Sequence, residues 1–194
     1  PITVDPLPAQ LDGFVLGDSL QPKDTTGTLA GSRSAVEAGL RVLQQRIPDF
    51  SFRTASVDSV GPCLAEMSED SAKRIVANFH NRDLCQQGRQ LLSQPEVDEA
   101  ELGRLLLEHH RHLRDGIGVS TPKLDSLIDA SMEAGALGGK VNGSGGGGCM
   151  FAYAPGRQQE VKEAIDAAGG RGIIISIREG AAIAEGEAEE GLVP

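Results

Sequence analysis

Lys140-Val141-Asn142-Gly143-Ser144-Gly145-Gly146-Gly147-Gly148-Cys149-Met150-Phe151-Ala152-Tyr153-Ala154 is the stretch that decides how this chain is read. Five glycines and one serine lie between two apolar segments, with no spacer on either side. Ordering glycine costs more backbone entropy than ordering any other residue, so a run this dense needs a reason. One reason is close approach, in which amides free of side chains turn inward as an anion-binding concavity. A flexible linker has the same composition, but a linker joins self-sufficient units, and strand-like residues abut both ends here. Gly143, Gly145 and Gly148 also fit G-x-G-x-x-G, a dinucleotide pattern that needs a helix next. Cys149 to Ala154 reads as a buried strand instead. No Gly-Lys-Ser/Thr closes the run as a Walker A loop would. A tight strand–loop–strand turn with no ligand stands as the alternative.

Upstream, Thr121-Pro122 is an N-cap and first-turn pair, and Leu124, Leu127, Ile128 and Met132 give the next helix its buried face. Gly135, Gly138 and Gly139 are expected to end that helix. Val97 to about Arg114 is the clearest helix, with Leu102, Leu105, Leu106, His109 and Leu113 on one stripe and charges around the rest. Another helix runs from Ser68 or Asp70 to Leu91 or Leu92, and Ser93-Gln94-Pro95 breaks it. A third spans Ser32 to Ile47, marked by Val36, Leu40 and Leu43, with Pro48 just past its end. The section from Phe50 to Pro62 is ambiguous. Gly13 to Ser19 reads as a short strand and Gln21 to Gly27 as a turn or loop. Downstream, Gln158 to Ala168 is a helix. Gly172 to Arg178 is a strand too apolar to be exposed on both faces. Helices followed by β-loop-β-α-β give an α+β fold, an antiparallel sheet packed on helices.

The 194 residues suffice for one sizeable core, which must be mostly aliphatic because only 3% of residues are aromatic. A net charge of −10 argues against a nucleic-acid surface. No apolar run approaches the roughly 18 residues of a membrane span, so no membrane partner is expected. Three dispersed cysteines form neither a disulfide framework nor a zinc pattern and fit a reduced, cytoplasmic setting. The acidic tail Glu185, Glu187, Glu189 and Glu190 reads as a solvated end. Pro1 to Pro8, without an initiator methionine, reads like the middle of a longer polypeptide.

Few side chains announce chemistry. His109, His110 and His112 cluster, yet no carboxylate or cysteine completes a metal set at helical spacing. They are expected as one histidine on the apolar stripe and two on the polar face. Asp115 is either a helix-end residue or a site residue. Lys140, on the strand feeding the glycine loop, faces either a phosphate or solvent. Ser144 has no histidine neighbour in sequence, and no carboxylate pair stands at an acid–base spacing.

The string from Lys140 to Cys149 resembles the third, C-terminal motif of the GHMP family of small-molecule kinases. The segment His109-His110-Arg111-His112-Leu113-Arg114-Asp115-Gly116-Ile117-Gly118-Val119-Ser120-Thr121-Pro122-Lys123-Leu124-Asp125 resembles a galactokinase segment, His-x-x-Leu-Arg-Asp…Val-Ser-x-Pro-x-Leu-Asp. Gly13 to Ser19 resembles the strand after the catalytic loop of the same enzymes. The three matches keep the family's order.

The resemblance implies the C-terminal part of an ATP-dependent, galactokinase-like kinase that phosphorylates a hydroxyl of a sugar or related metabolite. A non-catalytic sugar- or nucleotide-binding regulator, or a mevalonate- or homoserine-type kinase, is the alternative. Gly143, Ser144, Gly145, Gly146, Gly147 and Gly148 would lie beside the nucleotide phosphates, with Lys140 and Arg33 as accessory candidates. ATP and Mg2+ are the implied cofactors. The magnesium ligands and catalytic base would lie in preceding sequence, leaving this segment silent alone. Residues 1–30 would be the tail end of an N-terminal kinase domain, and 31–194 the family's C-terminal domain with a ferredoxin-like layer. Two departures bear on the acceptor. Ala30 stands where galactokinases carry a tyrosine near the sugar, and Gly146 where they usually carry a phenylalanine.

Overall fold

A computed structural model describes residues 7–23 and 25–177. Pro1 to Pro6, Arg178 and the acidic tail lie outside the described residues.

The sheet is built from β1 (Phe14–Asp18), β2 (Gly138–Val141), β3 (Cys149–Tyr153) and β4 (Arg171–Ile175). Their order is β2-β3-β1-β4, antiparallel throughout. Helices cross from β1 to β2, and one more crosses from β3 to β4. This is the split βαβ topology, within the expected α+β class. β1 hydrogen-bonds on both sides, Leu16 lying opposite Phe151 of β3 and Ile173 of β4. The segment read as the end of a preceding domain therefore sits inside this sheet.

The helices are α1 (Thr25–Arg46), α2 (Val57–Leu64), α3 (Glu69–Leu92), α4 (Glu99–Arg111), α5 (Pro122–Glu133) and α6 (Gln158–Ala167). A π-turn, His112–Ile117, continues α4. α1 starts at Thr25, seven residues before Ser32, so the expected turn from Gln21 to Gly27 is helical over its last three residues. α2 fills the ambiguous section through a capping box, in which Ser56 and Ser59 satisfy each other's backbone amides. Ser68 caps α3 and Asp98 caps α4.

Two apolar clusters hold these parts. On one face of the sheet, Val15, Val141, Met150 and Ala152 pack on Leu124, Leu127 and Ile128 of α5 and on Val161 and Ile165 of α6. Away from it, Leu43, Val60, Ile75 and Phe79 bury each other among α1, α2 and α3, each contributing roughly 1.5–3 kcal/mol. Arg82 holds that second cluster to its loop, donating to the carbonyls of Phe52 and Ala55 at 2.5 and 2.6 Å.

Three expectations are corrected. Gly138 and Gly139 belong to β2 rather than ending α5, which stops at Glu133 before Gly135 turns the chain at φ +97°. Gly138 is needed in the strand because a Cβ there would overlap the Gly103 carbonyl of α4. β4 is not buried: Ile173, Ile174 and Ile175 are 38%, 46% and 37% exposed. As the edge strand it has β1 on one side only, and α6 covers Gly172 but not its far end. Third, His110 rather than His109 is the buried histidine, at 2% exposure. α4 is covered by β2 as well as α3, so its buried face is wider than one stripe.

Candidate functional site

The loop joining β2 to β3 is closed by the Asn142 amide, which donates to the Cys149 carbonyl at 2.9 Å. Its glycines are dictated by what lies beneath them. Gly145 sits at φ +72°, and a Cβ there would overlap the Val119 carbonyl. Gly147 sits at φ +104°, where a Cβ would stand 2.7 Å from the Pro22 carbonyl oxygen. Side chains are thus excluded twice, by conformation and by space. The Gly146 amide donates to Val119 O at 2.9 Å, and the Ser19 amide donates to Gly148 O at 2.9 Å. Three segments distant in sequence, residues 19–23, 119–121 and 143–148, are thereby brought together.

A side-chain bond ties the two flanking segments to each other. The Thr121 hydroxyl donates to Gln21 Oε1 at 3.2 Å while accepting from the Leu124 amide as the cap of α5. Apart from Gly146, the amides of residues 143–148 donate to no acceptor among the described residues. Ser144 Oγ is likewise enclosed without a partner. Lys23 reaches over this loop. A Cβ on Gly143 would stand 3.5 Å from Lys23 Nζ, and one on Gly148 would stand 3.4 Å from its Cδ and 3.8 Å from Nζ. Sequence reading missed Lys23, which looked like one polar residue of a Pro-Lys-Asp turn. The signal available was its position just past the strand that precedes the turn.

The histidine segment lies behind the site. The π-turn carries Leu113, whose carbonyl accepts the Val119 amide at 3.0 Å and so aims the Val119 carbonyl at the glycines. Arg74 braces the same turn by donating to the Ile117 carbonyl. His110 Nε2 lies 3.2 Å from Asp125 Oδ1 but poorly aligned with it, and Ser120 Oγ donates to that same oxygen at 2.5 Å. Burial lowers the His110 pKa, opposed by the Asp125 charge. Burial, reinforced by the Lys140 charge, pushes His109 down to about 4. His112 stacks on His80 at 4.6 Å and is also lowered, by burial first. Asp115 pairs with Arg114 at 2.8 Å on an exposed surface.

Lys140 and Arg33 are placed apart from the loop's contacts. Lys140 Nζ donates to Val141 O at 2.9 Å and lies 5.3 Å from the Phe151 ring centre, its pKa lowered by burial. Arg33 lies on α1, paired with Glu37 at 2.7 Å. An apolar cavity of about 520 Å³ between α3 and α4, lined by Leu84, Leu102 and His109 among others, includes no residue of the glycine loop.

Among the described residues no group of three or more His, Cys, Asp or Glu stands close enough to hold a metal ion. No described helix is long and apolar enough to cross a membrane. The site therefore offers amides, one hydroxyl and one ammonium. It can receive and orient an anion, and it holds no nucleophile–base pair of its own among the described contacts.

Comparison with known proteins gives consistent findings. The family described as GHMP kinases, C terminal, matches residues 62–171. A mevalonate kinase of Thermococcus sibiricus is 50% identical over 152 residues, which are 78% of this chain and 39% of that protein. A galactokinase of Roseiflexus is 34% identical over 131 residues, 63% of this chain and 32% of that protein. The chain thus spans about two fifths or less of these relatives' length. Among solved structures, Lactococcus lactis galactokinase complexed with galactose superposes with a TM-score of 0.73 at 20% identity. That match covers 86% of this chain and 45% of the galactokinase. The L. major mevalonate kinase in complex with R-mevalonate gives 0.52 at 21% identity, covering 84% of this chain and 40% of that one. At such identities the structural likeness speaks for the fold.

Proposed function

Because the chain belongs to the GHMP kinase family, whose C-terminal region it matches over residues 62–171, we propose that it forms part of an ATP-dependent mevalonate kinase. The observation that carries the phosphotransfer reading is the convergence of residues 19–23, 119–121 and 143–148 on a loop whose amides, that of Gly146 aside, have no acceptor among the described residues. In the proposed reaction the bond between the γ-phosphorus and the β–γ bridging oxygen of ATP breaks. A bond from that phosphorus to the acceptor hydroxyl oxygen forms, ADP leaves, and the hydroxyl proton passes to a base. Gly143, Ser144, Gly145, Gly147 and Gly148 would direct their amides at the phosphoryl oxygens, where preorganised donors stabilise developing charge. Gly146 keeps its amide on Val119 and holds the loop's shape.

Mevalonate is favoured over galactose by 50% identity to a mevalonate kinase against 34% to a galactokinase. Ala30 and Gly146, where galactokinases carry aromatic residues, agree with that choice. A Mg2+ ion would help neutralise the triphosphate. Among the described residues no group of three or more His, Cys, Asp or Glu is assembled to ligate it, and no step here passes through the metal. Lys140 and Arg33 stay in the proposal as accessory cations. Lys140 would first have to release the Val141 carbonyl. The division into residues 1–30 and 31–194 is likewise proposed, with β1 a strand contributed to the second unit by the first.

The test is ADP release by the purified full-length protein given ATP with R-mevalonate or with galactose. Turnover with mevalonate and none with galactose is expected. Turnover with galactose alone would overturn the acceptor, and turnover with neither would overturn the proposed activity.

A further inference from the structure

Lys23 stands over the glycine loop, and its ammonium makes no ion pair among the described residues. Lys123, Lys140 and Lys162 are each held by an oxygen of this chain. Lys23 Nζ has no such partner among the described residues. Its backbone is fixed from one side, because the preceding carbonyl, that of Pro22, lies beneath Gly147. Its side chain is then directed across the loop. Cδ and Nζ pass within 3.4 and 3.8 Å of where a Cβ on Gly148 would stand, and Nζ within 3.5 Å of the same point on Gly143. The lysine stem thus runs at contact distance along Gly143 and Gly148. An ammonium without an oxygen partner thus stands beside a loop most of whose amides have no acceptor among the described residues, a pairing of donors that an anion would satisfy.

We propose that Lys23 is the glycine loop's cation, a residue that binds a phosphoryl group of the nucleotide by its ammonium. This rests on the phosphotransfer reading above. Lys23 adds the positive charge that amides alone lack, and its flexible stem lets the charge follow the phosphoryl group as it moves.

The experiment uses the full-length protein, its Lys23→Met and Lys23→Arg variants, and two probes, ATP and inorganic tripolyphosphate. Affinities are measured by calorimetry across a salt series, with the melting temperature as the control for folding. Removing one charge-assisted hydrogen bond at a solvent-exposed position should weaken both probes about tenfold in Lys23→Met. The salt dependence of binding should become shallower in the same variant, while Lys23→Arg stays within about threefold of wild type because it keeps the charge. Equal affinity in Lys23→Met, or weaker affinity with an unchanged salt slope, would overturn the proposal and leave the phosphotransfer reading standing. If wild type binds neither probe, both fall together.

Discussion

The Gly146 amide donates to the Val119 carbonyl at 2.9 Å, so the glycine loop and the turn that opens α5 form one mechanical unit. The Val119 amide is in turn held by Leu113 of the π-turn. Loop shape is thereby set from behind by the helix pair α4 and α5, and π-turns of this sort recur at functional sites.

Gly145→Ala should break that unit. The new methyl would overlap the Val119 carbonyl at a backbone angle that disfavours a side chain, costing about 2–4 kcal/mol. ATP affinity should fall further than the melting temperature alone explains, because the loop amides move with the clash. Paired thermal unfolding and ATP titration of the variant check this.

Away from the site, two glycines predict opposite outcomes. Gly138→Ala drives a methyl into the Gly103 carbonyl, where β2 meets α4 backbone to backbone, and should cost about 3 kcal/mol. Gly88 in α3 has nothing within 4 Å of its would-be Cβ, so Gly88→Ala should stabilise by about 0.5–1 kcal/mol through helix propensity. Urea unfolding of the two variants reads both signs.

These glycines also mark where the sequence was legible. Val36, Leu40 and Leu43, and the Thr121-Pro122 pair, carry local signals of period and capping, and the helices they predicted are present. Gly138 and Gly139 were read as a helix end because no local pattern reports that an α4 carbonyl will come to rest against the strand. The glycine loop was identifiable by density alone. Its partners Pro22 and Val119 were not, because contacts over such separations leave no periodic trace. β4 misled for a related reason: an isoleucine run tells how apolar a strand is, not whether neighbours cover both its faces. Lys23 is invisible in the sequence because its place over the loop depends on the Pro22–Gly147 contact.

Acid should destabilise the fold through the histidines before most carboxylates titrate. His109, His110 and His112 all have folded pKa values below the ordinary 6.5, with His109 at about 4 and burial the first cause in each. Below pH 6.5 the unfolded chain binds these protons and the folded chain resists them. Stability present at neutral pH is therefore lost progressively as pH falls from about 6.5 toward 4. His109→Gln should flatten that limb, measured as the urea midpoint against pH, while an unchanged slope would contradict the assignment.

Thr121 joins the cap of α5 to Gln21 on the far side of the loop. Thr121→Ala should cost about 1 kcal/mol from the lost cap, and Thr121→Ser should recover most of it by keeping the hydroxyl. Chemical denaturation of the two variants distinguishes a cap from mere packing of the methyl.

The central claim is that the backbone amides of Gly143, Ser144, Gly145, Gly147 and Gly148 receive a phosphoryl group. Amide hydrogen exchange of the full-length protein, measured residue by residue with and without ATP, tests it most directly. Slowed exchange at Gly143, Ser144, Gly145, Gly147 and Gly148 on adding ATP is the predicted result. ATP binding that leaves those five amides exchanging at their unliganded rates would contradict it.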